Sequence, residues 1–325
     1  MIAVVIGTNA EALRMQPVLE RLKDYQVILT GQNDVQMEGT RLKSFDGIGT
    51  SVLKGGWRFF SARSELRREL QKLKPSKVVY QGDTTTTLMA SMAAQMEGIP
   101  GAHIEAGFRS GSVWSPFPEE LARTWADNRS TMCFAPSERA YDNLFGKPDR
   151  LVLSGSTVWD NISALRLATR RKGYAVMTAH RYENILIRSR LKRLVYIAGS
   201  TGWPPVWPMH EMTRKRIKDM GIWPNARIVD LMPYPEFMEL VAGADYVITD
   251  GGGLEEEAAI LRKRCILLRD RTERPEVGSV LVGLDYKKAL KAMNDARDAT
   301  EDLPPVGHPY FFGRSPSEII AEYLD

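Results

Sequence analysis

Short β-branched runs alternate with helix-patterned stretches along the whole chain, and this alternation restricts the fold more than any other feature. IAVVI (2–6), QVILT (26–30), KVVYQ (77–81) and GAHIE (101–105) predict strands. EALRMQPVLERL (11–22), RSELRRELQKLK (63–74) and TLMASMAAQM (87–96) predict the helices between them. After residue 155 the rhythm restarts with YAVMTA (174–179), PPVWP (204–208), ARIVD (226–230), DYVITD (245–250) and RCILL (264–268). Such a strand–helix–strand repeat means parallel strands covered by helices on both faces. The expected architecture is α/β, with two doubly wound domains joined near residues 155–160. At 325 residues the chain is also too long for one ordinary core.

Composition narrows the class. With 43% hydrophobic and 26% charged residues, the chain reads as a soluble globular protein. No apolar run reaches the roughly 18 residues of a membrane span, so no membrane partner is expected. MIAVVIGTNAEA lacks the basic flank of a signal peptide and reads as a first strand and turn. Cys133 and Cys265 lie in apolar surroundings without metal-ligand spacing, which fits reduced core residues of a cytoplasmic protein. The formal charge of +4 is spread along helices such as RSELRRELQKLK and IRSRLKRL (187–194). That spread reads as solvated helix faces, not as a nucleic-acid surface, and a modest positive excess suits an anionic small ligand.

Ligands of open parallel sheets bind beyond the carboxyl ends of the strands, so the strand-to-helix junctions carry the functional candidates. In QGDTTTT (81–87), Asp83 follows a strand and precedes a helix. An N-cap aspartate is the plain reading, yet one cap needs only one Asp or Thr. Four threonines predict a cluster of hydroxyls beside Asp83. Glu105 closes another buried strand, and Glu119 and Glu120 open a helix behind Pro118. Acids are favoured in a first turn by the helix dipole. Three neighbouring junction carboxylates would also raise one another's pKa, which suits proton transfer. In the second half, His180 and Arg181 follow a strand directly and suit an anion. DGGGLEEEAAI (250–260) then offers a glycine loop and free helix N–H groups to a phosphate, with Glu257 one turn on for a ribose. It matches neither the Walker nor the dinucleotide fingerprint.

Taken in order, GTNAEALRMQP (7–17), QGDTTTT, HIEAGFRSG (103–111), SPFPEE (115–120), TAHRYEN (178–184), DGGGLEEE (250–257) and RDRTERPE (269–276) resemble the non-hydrolysing UDP-N-acetylglucosamine 2-epimerases. LSGSTVWDNI (153–162) is similar to that family's stretch at the domain join. The resemblance implies two Rossmann-like doubly wound domains facing a deep cleft, the GT-B arrangement. One would comprise residues 1–157 plus 311–325, with SEIIAEYL (317–324) crossing back onto it, and the other 158–310. It implies a UDP-sugar substrate, a homodimer, and neither metal nor cofactor. The implied reaction expels UDP from C1 as the C2 proton leaves, giving 2-acetamidoglucal, and re-adds UDP after protonation on the other face. Asp83, Glu105 and Glu119 match the family's catalytic acids and His180 its catalytic histidine. Arg181, Gly252 and Gly253 match its diphosphate grip, Glu257 its ribose ligand, and Phe237 an aromatic beside the uracil.

The chain departs from the family pattern in places. Asn9 stands where an arginine contacts the nucleotide, Gly251 where a serine binds phosphate, and Glu255 where glutamine is usual. Arg14 or Arg269 is the expected compensating cation. Gln32 and Asn33 replace an allosteric Gln-His pair, and Phe311 and Phe312 replace small and acidic residues near the domain hinge. The same motifs would serve a related UDP-2-acetamido sugar such as a diacetamido-uronate. A hydrolysing 2-epimerase, a GT-B glycosyltransferase and a UDP-sugar binder without turnover are the remaining alternatives.

Overall fold

The computed structural model describes residues 1–32, 42–44, 56–112, 118–200, 202, 204–299, 303 and 310–325, with the backbone alone at 42–44 and 56–59. The chain divides into two compact units, Met1–Asn161 with Pro309–Asp325 and Ile162–His308. Among the described residues no helix is long and apolar enough to cross a membrane.

The first unit is built on seven parallel strands: β1 (Ile2–Ile6), β2 (Tyr25–Leu29), β3 (Leu42–Ser44), β4 (Lys77–Gln81), β5 (Gly101–Ile104), β6 (Met132–Ala135) and β7 (Arg150–Leu153). Their order across the sheet is β3-β2-β1-β4-β5-β6-β7. Side chains alternate between faces with period two. Ile2, Val4 and Ile6 of β1 therefore join one buried cluster with Met15 and Val18 of α1 (Asn9–Leu19). Ala3 and Val5 join the other, with Leu66 and Leu70 of α2 (Gly56–Leu73) and Met89 and Ala93 of α3 (Thr85–Met96). Both faces are thus covered, as continuous β-branched strands require. The last helix, α13 (Pro316–Leu324), places Ile320, Ala321 and Leu324 in the α1-side cluster.

Proline inside α1 shows how the second unit's predecessor segment is fastened. Pro17 has no N–H for the carbonyl of Leu13, four residues earlier. Asn161 Nδ2, from α6 (Thr157–Leu165), donates to that carbonyl instead at 2.8 Å.

The second unit repeats the plan with β8 (Ala175–Thr178), β9 (Val206–Pro208), β10 (Arg227–Val229), β11 (Tyr246–Thr249), β12 (Arg264–Leu267) and β13 (Val280–Leu281), in the order β10-β9-β8-β11-β12-β13. Every recorded strand pair in both sheets is parallel. Each sheet runs outward both ways from a central pair, the Rossmann-like pattern in which the strand order reverses. The reversals fall between β1 and β4 and between β8 and β11, where such sheets take ligands. Cys133 and Cys265 are both buried and free.

Candidate active site

In the first unit the reversal point is formed by the loops after β1 and β4. Gly7 ends β1's loop because a Cβ there would stand 1.9 Å from Thr86 Oγ1, so only glycine lets the two junctions close up. Thr8 caps α1 in a reciprocal capping box with Glu11. After β4, the cap of α3 is Thr84 and not Asp83: Thr84 Oγ1 accepts from Thr87 N at 3.2 Å. The threonines also differ from the expected open hydroxyl cluster. Thr86 and Thr87 are fully buried, Thr87 donating to Gln81 O at 2.5 Å and Thr86 to Gln32 Oε1 at 2.9 Å. Thr86 Oγ1 further shares a 2.8 Å hydrogen bond with Thr30. The hydroxyls of Thr86 and Thr87 therefore fasten α3 to the ends of the strands beside it.

Freed from capping, Asp83 keeps a side chain 31% exposed and accepts from Arg123 Nη2. Arg123, on α4 (Glu119–Asp127), is almost fully buried and also donates to Glu120 Oε2 at 2.8 Å. Glu120 in turn accepts from Ser110 N at 3.2 Å through both oxygens. Glu119 lies half-buried in the first turn of α4, behind Pro118, which makes no side-chain cap. Residues 115–117 of SPFPEE lie outside the described residues.

Glu105 follows β5 in the left-handed region, at φ +64°. A non-glycine residue held there is a strained one, and such residues gather at functional sites. Its carboxylate pairs with Arg14 of α1 and sits 3.5 Å from Gln81 Nε2. A Cβ on Gly82 would stand 3.9 Å from Glu105 Oε2, so the turns carrying Asp83 and Glu105 adjoin. Asp83 and Glu105 each have an arginine of their own. Beside them Glu11 is pushed up to about 7, chiefly by burial and with a contribution from Asp83's charge. Hydrogen bonds from Thr84, Gly7 and Thr8 oppose that rise. Arg14 is thus engaged within its own unit, while Asn9 is exposed at the start of α1.

In the second unit, Asp250 organises the reversal point. Its carboxylate accepts from His180 N at 3.1 Å, Arg181 N at 3.1 Å and Asn184 Nδ2 at 2.9 Å, stitching the loop after β8 to the loop after β11. The His180 ring stays 47% exposed, with Nδ1 3.5 Å from Asp250 Oδ1 and its centroid 5.6 Å from that of His210. Burial and the neighbouring His180 lower the His210 pKa, against the pull of Asp250. Arg181 Nη1 pairs with Glu183 at 3.1 Å.

Gly251 precedes α11 (Gly252–Ile260), which has no side-chain cap, so its first N–H groups are available to an anion. A Cβ on Gly251 would stand 3.0 Å from His180 Cε1, so a side chain here would press against the half-exposed ring. A Cβ on Gly252 would stand 2.6 Å from Glu273 Oε1 and 2.9 Å from Arg274 Nη1. Behind the loop Arg269 and Arg274 pair with Glu273 at 2.8 and 2.7 Å, and Arg274 Nε lies 3.3 Å from Glu256. Arg269, the second expected compensating cation, is engaged by this buried network. Glu255 is fully buried, accepts from Thr272 at 2.8 Å and is pushed up to about 7 by burial, which moderates its negative charge. Glu257 of α11 and Phe237 of α10 (Tyr234–Gly243) are half-buried, and Gly253 completes the glycine loop. Phe311 stacks on Trp159 at 4.6 Å in the first unit, while Asn33 lies outside the described residues.

Two Rossmann-like domains, with carboxylates at the reversal point of one and a glycine loop with histidine at that of the other, define an α/β enzyme of the nucleotide-sugar kind. The family model described as UDP-N-acetylglucosamine 2-epimerase matches residues 19–324. The UDP-N-acetylglucosamine 2-epimerase of Methanocaldococcus jannaschii is 30% identical, over 90% of this chain and 91% of that protein. A crystal structure of the M. jannaschii enzyme in complex with UDP-GlcNAc and UDP superposes with a TM-score of 0.85 at 28% identity, covering 99% of each chain. That of Neisseria meningitidis, bound to UDP-GlcNAc, gives 0.83 at 27% identity with the same coverage. The chain belongs to the UDP-N-acetylglucosamine 2-epimerase family.

Proposed function

We propose that this protein interconverts UDP-N-acetylglucosamine and UDP-N-acetylmannosamine. The observation that carries the reading is the pairing of Asp83 with Glu105 on adjoining turns, each beside a guanidinium, in a chain of this family. A C2 hydrogen of a sugar is barely acidic, so it leaves only as the C1–O bond breaks and positive charge grows at C1. Carboxylates take the proton and stabilise that charge. Asp83, Glu105 and Glu119 are assigned this work. The C1–O electrons depart with UDP, leaving a C1=C2 double bond in 2-acetamidoglucal. Protonation of C2 on the opposite face and return of UDP to C1 complete the epimerisation.

The departing diphosphate needs fixed positive partial charge, which the uncapped N–H groups at Gly252 and Gly253, Arg181 and His180 can supply. Gly251 lends backbone only. Glu257 is assigned to the ribose hydroxyls and Phe237 to the uracil face, while Asn9 and Arg14 contact the nucleotide side of the first domain. The protein is further proposed to work as a homodimer in the cytoplasm, a compartment that suits its buried free cysteines.

The test is an NMR time course of UDP-N-acetylglucosamine with the protein in deuterated water. A manno-configured UDP-sugar carrying deuterium at C2 is the expected product. Free UDP with free N-acetylmannosamine would instead place the protein with hydrolysing enzymes, and an unchanged spectrum would overturn the substrate.

A further inference from the structure

The turn that presents Asp83 is gripped on both sides by buried side chains that the proposed chemistry does not use. On one side is Gly82, in the left-handed region at φ +75°. Its N–H donates to Ile104 O at 3.0 Å and its carbonyl lies 2.7 Å from His103 Nε2. His103 is fully buried on β5, with Nδ1 2.7 Å from Asp127 Oδ1. Asp127 is itself pinned by Gly107 N at 3.3 Å and Arg109 at 2.7 Å. Burial would raise its pKa, but His103 and Arg109 hold it below the usual carboxylate range. Both ring nitrogens of His103 are thereby engaged, one by a backbone carbonyl and the other by a carboxylate.

On the other side is Thr84, whose hydroxyl donates to Glu11 Oε1 while it caps α3. Glu11 Oε2 accepts from Gly7 N at 2.7 Å and Thr8 N at 3.0 Å, and Oε1 also lies within 3.4 Å of Thr87 Oγ1. One carboxylate thereby ties the loop after β1 to the turn after β4. Arg123 then orients the Asp83 carboxylate itself. The backbone on either side of Asp83 is thus held by the buried His103 and Glu11.

We infer that His103 and Glu11 are positioning residues for Asp83, fixing its carboxylate through Gly82 and Thr84. This rests on Asp83 acting on the sugar. Small displacements of a catalytic group cost large factors in rate without changing how tightly a remote part of the substrate is held.

The experiment uses Asp127→Asn to weaken the His103 grip and Thr84→Val to release Glu11, with Thr84→Ser as the conservative rescue. Asp127→Asn and Thr84→Val should each lower kcat for C2 deuterium exchange at least tenfold, with KM and the UDP Kd within twofold of wild type. Thr84→Ser should recover most of the rate. In an Asp83→Asn background neither substitution should reduce the residual rate further. Wild-type kcat per folded molecule in both variants would overturn the inference while leaving the epimerase reading intact. Should wild type itself fail to turn over UDP-N-acetylglucosamine, that reading falls, and the clamp is judged by nitrogen NMR alone. With the four histidines labelled, the His103 ring nitrogens should shift in Asp127→Asn; a His103 ring unmoved by that substitution would overturn the grip.

Discussion

Glu255→Gln tests whether a buried acid in the second domain sets its stability against pH. The carboxyl is fully buried on α11 with Thr272 as its hydrogen-bond donor. Burial, opposed by Thr272 and Arg274, moves it from 4.5 to about 7. Between those values the folded protein holds a proton that the unfolded chain has released. Stability from this group is therefore fully present below 4.5 and is lost as pH rises through 7. A gap of roughly 2.5 units at about 1.4 kcal/mol each amounts to about 3 kcal/mol. Glutamine is neutral throughout, and its carbonyl can still accept from Thr272. Calorimetric scans of both proteins from pH 5 to 8.5 should show Tm of the variant rising relative to wild type by roughly 5–10 °C. Parallel curves with a constant offset would refute the argument, since they would mean that Glu255 does not bind a proton in the folded state.

Gly155→Ala should cost about 2–4 kcal/mol in urea denaturation. Its φ is +80°, and the new Cβ would stand 2.4 Å from the Tyr310 carbonyl. Arg123→Met removes the cation between Glu120 and Asp83. It should destabilise by about 3–5 kcal/mol, as for other buried pairs broken on one side, and abolish C2 exchange. Gly252→Ala pushes a methyl group against Glu273 and Arg274. Calorimetric titration should find UDP affinity at least tenfold weaker, with thermal stability changed far less than in Arg123→Met.

Strands at the centres of both sheets were legible because runs such as IAVVI and DYVITD combine β-branching with continuous apolarity. At the margins the edge strand β10 was legible as ARIVD, but others were not. β6 reads MCFA and β13 only VL, too short or too poor in β-branched residues to announce themselves. The junction acids stood out as residues, but their partners did not. Arg123 meets Asp83 across 40 positions and Glu11 meets Thr84 across 73, separations that no local pattern encodes. A hint for Glu11 lay in Thr8-Asn9-Ala10-Glu11, whose spacing is that of a capping box. His103 was hidden by its position in a buried strand, where a polar residue signals a paired one.

The return of α13 to the first domain has a consequence for synthesis. Ile320, Ala321 and Leu324 complete a cluster begun by Ile2, Val4 and Ile6, yet they are translated only after the whole of Ile162–His308. A ribosome therefore releases the second domain, whose residues are contiguous, before the first can close its core. Until then the α1 side of the first sheet lacks part of its apolar cover, in the state most open to chaperones and to aggregation. Truncations or mutations in the last two turns should thus lower yield in the cell more than they lower the equilibrium stability of molecules that have already folded.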